Sequence, residues 1–251
     1  MIKTRTGDKE RGDVIVAQAA PRAVAAQRSM IEIRGLSQSY GPHRVLDAVN
    51  LEVAPFERCA LVGRNGAGKS TLIHTMLGLM PARRGQIHLH GISTRKNGWK
   101  RYVSYLPEKF HLYQNLTGYE NLTFFNALTA GALDEARAEE VLRAVSLWEV
   151  RHTVVNTYSK GMLQRLGLAL MLYFDTEIII LDEPTSGLDP IGREEILTII
   201  RNLTDKTILM ASHHFDEIRR VCTHVAMLED GKVTKYSIDE FSTLYFSGDS
   251  A

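Results

Sequence analysis

The residues that most restrict how this chain can fold are Gly63-Arg64-Asn65-Gly66-Ala67-Gly68-Lys69-Ser70, which fit the pattern G-x-x-x-x-G-K-[ST]. Arg58 to Val62 before them reads as a strand, and the run beginning at Thr71 reads as a helix. A strand, a glycine-rich loop and a helix in that order predict an α/β fold in which the loop caps one edge of a sheet. Chance alone produces the pattern in about one chain in a hundred of this length, and the flanking elements make an accidental glycine turn rarer still. The glycines let successive backbone N–H groups curl toward a phosphate, and the helix behind them adds its positive end. Lys69 can reach the β- and γ-phosphates of a nucleotide, and the Ser70 hydroxyl can ligate Mg²⁺. Arg64, Asn65, Ala67 and Thr71 complete the expected nucleotide-binding segment.

The rest of the chain agrees with an α/β class, because from residue 31 onward short β-like runs alternate with helical patterns. The expected strands are Ile31 to Gly35, Arg44 to Leu51, Arg58 to Val62, Gln86 to Leu89, Arg101 to Leu106, Ile178 to Leu181, Thr207 to Ala211 and Val225 to Leu228, after which Glu229-Asp230-Gly231 signals a turn. Between the fifth and sixth runs, Tyr119 to Leu172 has helical periodicity and no convincing strand. The run Ile178 to Leu181 ends in Asp182-Glu183, so two carboxylates emerge at the edge where open parallel sheets bind ligands. Asp182 is placed to hold Mg²⁺, and Glu183 to accept a proton from an attacking water. A strand ending in two acids is common, but beside a phosphate loop it predicts a hydrolytic site.

Composition narrows the partners. The 251 residues carry 30 Lys plus Arg against 29 Asp plus Glu, a net charge of +1 that offers no electrostatic case for binding nucleic acid or a charged membrane surface. The longest apolar stretch, Leu166 to Phe174, has nine residues, about half a membrane-spanning helix, so any spans must come from separate subunits. Cys59 and Cys222 give neither a disulfide framework nor a metal-ligand spacing, which suits a reducing compartment, and Cys59 is expected to be a buried small hydrophobe. His88 and His90 share a strand face but lack a third ligand, so no metal site is expected there. The charged run from Asp134 to Arg143 reads as the solvated face of an amphipathic helix. Residues 1–29, Ala-rich around Pro21 with six basic and three acidic residues, have no sustained apolar period and are expected to form a disordered arm. Residues 30–251 are expected to form one domain with an inserted helical lobe at about 110–172.

Kinases and GTPases share the phosphate loop, so other motifs must separate the families. Tyr158-Ser159-Lys160-Gly161-Met162-Leu163-Gln164-Arg165 stands ahead of an apolar helix, Pro184-Thr185-Ser186-Gly187-Leu188-Asp189 follows the two acids, and Ala211-Ser212-His213 ends a strand. Upstream lie Ser39-Tyr40-Gly41 and Tyr105-Leu106-Pro107-Glu108. In this order they resemble the nucleotide-binding subunit of ABC transporters, from Ile31 to about Val233. Two departures stand out: Tyr158, Lys160 and Met162 differ from the family's Leu-Ser-Gly-Gly-Gln, and Glu108 stands where the family has glutamine. A hydroxyl, a glycine and a helix N-terminus survive the first departure, and a carboxylate can still reach Mg²⁺ or the attacking water after the second.

The resemblance implies a P-loop ATPase core with an N-terminal antiparallel β portion and an inserted helical lobe. It implies that the chain binds and hydrolyses ATP with Mg²⁺, that Tyr40 stacks on adenine, and that His213 bonds the γ-phosphate. It implies that Ser159, Lys160, Gly161 and Met162 face the nucleotide of a second subunit, with Ser186, Gly187, Leu188 and Asp189 connecting the two sites. The partners it implies are a homodimer or heterodimer mate and separate transmembrane permease subunits, met at the cytoplasmic face of a membrane. Phe110, Leu112 and Tyr113 are expected either to grip a coupling helix of such a subunit or to pack within the lobe. The forms Y-S-K-G-M and L-P-E are similar to those of exporter-type members. Two alternatives stand beside this reading: an ABC-type ATPase not engaged in transport, and a nucleotide-responsive binding module without turnover. The first resembles chains with two fused domains or long coiled-coil insertions, neither of which occurs here, and the presence of Glu183 and His213 weighs against the second.

Overall fold

The computed structural model describes residues 29–129 and 131–246, and the expected N-terminal arm, apart from Ser29, lies outside the described residues. Strands β1 (Ile31–Tyr40), β2 (His43–Val53) and β3 (Arg58–Val62) lead through the glycine-rich loop into helix α1 (Lys69–Met76). Strands β4 (Arg84–Leu89), β5 (Ile92–Ser93) and β6 (Val103–Leu106) follow, then helices α2 (Gly118–Ala127), α3 (Glu135–Ala144) and α4 (Lys160–Tyr173). The chain then alternates β7 (Ile178–Asp182), α5 (Pro190–Asn202), β8 (Thr207–Ala211) and α6 (Phe215–Val221), and closes with β9 (His224–Glu229), β10 (Lys232–Ser237) and α7 (Ile238–Phe246).

The strands form two sheets, an antiparallel one of order β2-β1-β4-β5 and a larger one of order β10-β9-β3-β8-β7-β6. In the larger sheet every neighbouring pair from β9 to β6 is parallel, and β10 returns antiparallel on β9. β7 and β8, Ile-Ile-Ile-Leu-Asp and Thr-Ile-Leu-Met-Ala, are buried at every position, which requires the unbroken apolar runs seen in the sequence. Their side chains alternate between two cores with the two-residue period of a strand. Ile178, Ile180, Leu209 and Ala211 join α1 and the antiparallel sheet through Leu72, Ile73, Met76, Ile31 and Ile33. Ile179, Leu181, Ile208 and Met210 join the helices through Leu122, Val141, Leu142, Leu166 and Ile196. The helices between β6 and β7 therefore share a core with the parallel sheet.

Helix starts follow the sequence closely. Thr117 and Glu120 form a reciprocal capping box on α2, Asp134 caps α3, Ser159 caps α4, and Asp189 caps α5 ahead of Pro190. Some of the strand expectations shift. β1 runs five residues beyond Gly35 because register breaks with β2 and β4 absorb the left-handed glycine, φ +59°. Gly98–Tyr102 is a 3₁₀ turn that buries Trp99, so the strand expected from Arg101 begins at Val103. Neither β5, two residues long, nor the polar β10 was among the expected strands. Cys59 and Cys222 are both buried free thiols, and burial pushes their pKa values up, Cys222 to about 12, so neither is a thiolate near neutrality. His88 lies 3.4 Å from Glu32, and His90 stacks on Tyr102. No described helix is long and apolar enough to cross a membrane.

Candidate functional site

The order β3-β8-β7-β6 sets four parallel strands side by side, so the loops leaving their C-terminal ends meet along one edge. At β3 that loop is the glycine-rich segment. Gly66 and Gly68 adopt φ values of +82° and +108°, which an L side chain resists. Gly63 answers to a close approach instead: a Cβ there would lie 2.6 Å from the Leu228 backbone oxygen. Lys69 Nζ donates to Gly63 O at 2.8 Å, drawing the ammonium across the loop. Asn65, Gly66, Gly68, Lys69, Ser70 and Thr71 share a cavity of about 230 Å³ with Glu108, Asp182 and Glu183. Arg64 and Ala67 border the adjoining cavity, between residues 43–45 and 227–231. Tyr40 stands at the rim of the loop, its hydroxyl 3.4 Å from Thr71 Oγ1 and 51% of its surface open to a planar ligand.

At β7 the strand carries its two acids into the same cavity. Burial holds the Asp182 carboxyl above the usual carboxylate range, with the charges of Glu183 and Glu108 adding to it and His74 and Lys69 opposing. Tyr105, beside it on β6, has its hydroxyl pushed up to about 12 by burial and by the Asp182 charge. Three carboxylates thus face one lysine, an excess of negative charge in a half-dry cavity. That donor set fits Mg²⁺, a hard cation held by one or two carboxylates plus the phosphates of a substrate. Asp182 and Ser70 would hold it, with Glu108 in the same cavity.

Glu183 takes a left-handed backbone, φ +49°, a costly conformation for a residue with a Cβ, and its N–H donates to Ala211 O at 2.9 Å. This bond ties the acid to the end of β8, from which His213 emerges. His213 Nδ1 lies 2.8 Å from Glu183 Oε2, within hydrogen-bond reach, and the ring's tautomer sets which nitrogen donates. The histidine is 49% exposed at its side chain and the glutamate 12%, so the pair has a buried end and an open end.

The segment Ser159 to Met162 lies elsewhere and contributes nothing to the wall of this cavity. Ser159 Oγ accepts from the Met162 N–H at 3.2 Å, so the hydroxyl serves as a helix cap. Lys160 extends its ammonium directly against Gly187, into space that a Cβ at that position would occupy. Gly161 approaches the start of α5 closely, where its Cβ would sit 3.9 Å from Gly192 Cα. The loop between is a tight turn: the Ser186 N–H donates to Glu183 O, the Leu188 N–H to Thr185 O, and Asp189 Oδ1 accepts from the Gly192 N–H at 2.7 Å.

Beyond Glu108, residues between β6, α2 and α4 enclose a largely apolar groove of about 340 Å³ lined by Tyr105, Phe110, Leu112, Phe125, Leu170 and Phe174 among others. Phe110 and Leu112 stand in its wall and also pack on the helical core. Tyr113 does not line it; half exposed, its ring meets Phe124 edge-on at 4.4 Å.

One cluster beside the site had no sequence signal. Glu217 in the first turn of α6 is 3% exposed, accepts from Thr185 Oγ1 at 2.6 Å, and faces Arg193 Nε at 3.2 Å. An acid in the first turn of a helix reads in sequence as a response to the dipole, and nothing local reveals that it is buried against residues far along the chain.

Comparison with known proteins completes the picture. Residues 46–186 match the ABC transporter family. The bacitracin transport ATP-binding protein BcrA of Bacillus licheniformis is 37% identical over 210 residues, 82% of this chain and 68% of that protein. The linearmycin resistance ATP-binding protein LnrL of Bacillus subtilis is 32% identical over 210 residues, covering 81% and 68%. Among solved structures, an ATP-binding subunit of an ABC transporter superposes with a TM-score of 0.76 at 31% identity, over 86% of this chain and 93% of that one.

Proposed function

The chain belongs to the ABC transporter family as an ATP-binding, ATP-hydrolysing subunit, and on that premise we propose that it powers export by closing on a second ATP-binding subunit beneath separate membrane subunits. The observation that carries the reading is the convergence of Lys69, Asp182, Glu108 and the Glu183–His213 pair at the ends of four adjacent parallel strands. In this reading the N–H groups of residues 63–71 and the Lys69 ammonium bind the phosphates, and the Tyr40 ring stacks on adenine. Ser70 and Asp182 would hold Mg²⁺, which would supply neutralisation of the charge on the nucleotide's phosphates. Glu183 accepts a proton from the attacking water, and His213 orients that carboxylate and bonds the γ-phosphate. The start of α4, Ser159 to Met162, completes the site of the opposite subunit, which is consistent with its distance from the cavity of its own chain. Closure is driven by tighter binding of ATP to the closed pair than to the open one.

The apolar groove beside Glu108 suits a short helix of a membrane subunit, with Phe110 and Leu112 as contacts, and this would hold the chain at the cytoplasmic face. Export is supported by the relatives named for bacitracin transport and linearmycin resistance. Light scattering on Glu183→Gln tests the central step. An ATP-dependent shift from monomer to dimer in Mg-ATP is expected, whereas normal hydrolysis by this variant would assign the base to another residue.

A further inference from the structure

We infer that Glu217 is a positioning residue for hydrolysis: its buried carboxylate ties the loop that follows Glu183 to the loop that carries His213, so that the two groups meet the γ-phosphate together. The inference rests on the roles given above to Glu183 and His213. Thr185, two residues after Glu183, donates its hydroxyl to Glu217 Oε2 at 2.6 Å. Ser212, immediately before His213, points its hydroxyl at the same oxygen from 3.4 Å and accepts from the His214 N–H at 3.1 Å. Thr185 and Ser212 are both 0% exposed. Water therefore cannot replace either partner, and a buried carboxylate stripped of its donors is costly. Neither loop can shift alone without stranding that charge.

The third partner extends the linkage. Arg193 on α5 lies 3.2 Å from the other oxygen, and α5 is capped by Asp189, the last residue of the turn that lies against Lys160. A displacement of that turn by a second subunit is thus communicated through Arg193 and Thr185 to the Glu183–His213 pair. Glu217 lines no part of the phosphate cavity, so ATP affinity is not its concern.

The experiment compares Thr185→Val, Glu217→Gln and the double variant with the full chain, measuring ATP dissociation constant, kcat and Tm. Thr185→Val removes one hydroxyl at constant shape, and Glu217→Gln keeps an acceptor but loses the charge that faces Arg193. Each single variant should lower kcat about tenfold, the scale of a small misplacement of catalytic groups, with ATP affinity within about twofold. The double variant should be no worse than the poorer single, because both act through one bond. Glu183→Gln and His213→Ala run alongside: if these retain turnover, the assignment of the hydrolytic pair fails, whatever Glu217 does. If they are inactive while Thr185→Val and Glu217→Gln keep kcat within about twofold, the inference is overturned. Losses that multiply in the double variant, or kcat and affinity falling together with Tm, overturn it as well. Should Glu217→Gln not fold, Thr185→Val carries the comparison alone.

Discussion

Gly167→Ala should destabilise the protein although it replaces the poorest ordinary helix former with the best. Gly167 sits in the middle of α4, where glycine costs about 1 kcal/mol relative to alanine. The reason for tolerating it lies in Phe110: a Cβ on Gly167 would lie 2.6 Å from Phe110 Cζ, 2.8 Å from its Cε2, and 3.0 Å from Leu106 Cδ1. Ordinary carbon contacts are roughly 3.5–4.0 Å, so the ring must retreat by about 1 Å. Leu106 is 3% exposed and has nowhere to go, whereas Phe110 can be pushed toward the groove. Overpacking of this kind costs about 1–3 kcal/mol. Offset by the helix-propensity gain, the net loss is about 0–2 kcal/mol, which at roughly 2–4 °C per kcal/mol for a chain of this size places the central expectation near a 3 °C drop in Tm. In a Phe110→Ala background the sign should reverse, since the new methyl then fills space the ring has left. Thermal denaturation of the four proteins decides it. A rise in Tm for Gly167→Ala alone would show that the ring does not confine this position, and would remove the physical basis for the groove's shape.

Two further perturbations probe the charges. Asp182 is held above its ordinary pKa, so its contribution to stability is present below the ordinary carboxylate pKa and lost as pH rises through the raised value. Asp182→Asn should therefore stabilise the nucleotide-free protein at pH 7, by the ~0.5–2 kcal/mol common for single stabilising substitutions such as charge optimisation, with the gain in Tm shrinking toward pH 4, and should abolish the extra stabilisation that Mg²⁺ adds to ATP; a difference independent of pH would refute the electrostatic cause. Lys160→Glu should raise the nucleotide-free Tm by about 1–4 °C, because an acid in the first turn complements the α4 dipole by ~0.3–1 kcal/mol, and should weaken ATP-driven dimerisation of Glu183→Gln at least tenfold. Unchanged dimerisation would remove Lys160 from the shared interface.

What the sequence disclosed follows from how local each requirement is. Gly66 and Gly68 were legible because the φ values of the phosphate loop admit almost nothing else, and β7 and β8 because burial on both faces demands unbroken apolar runs. β10 escaped because Lys-Val-Thr-Lys-Tyr-Ser has an edge strand's polarity, held by its turn at Asp230-Gly231 and its pairing with β9. The start of β6 was misplaced because Trp99 is buried by tertiary packing, which draws the preceding residues into a 3₁₀ turn. At the site, Lys69, Asp182 and Glu183 could be read from a contiguous motif and a strand end. Thr185, Ser212 and Glu217 could not, since a buried carboxylate is recognised only by partners that the fold brings from five and 32 residues away.

The first turns of the helices bear on the proposed pairing of two subunits. α2, α3, α6 and α7 each place an acid there, and α5 receives a carboxylate from its cap, Asp189. Among the described α-helices α1 and α4 alone have neither an acid in the first turn nor an acidic cap. Neither end therefore has an acid of its own first turn or cap to offset it, and α4 adds Lys160 in that turn. Under the proposed function the phosphates of ATP would meet the α1 end, where Lys69 and Ser70 line the cavity. The start of α4 lies outside the wall of that cavity, so the chain's own nucleotide site does not offset it. Under the proposed function a second ATP-binding subunit, presenting its own nucleotide, would supply an offsetting charge as it completes the site.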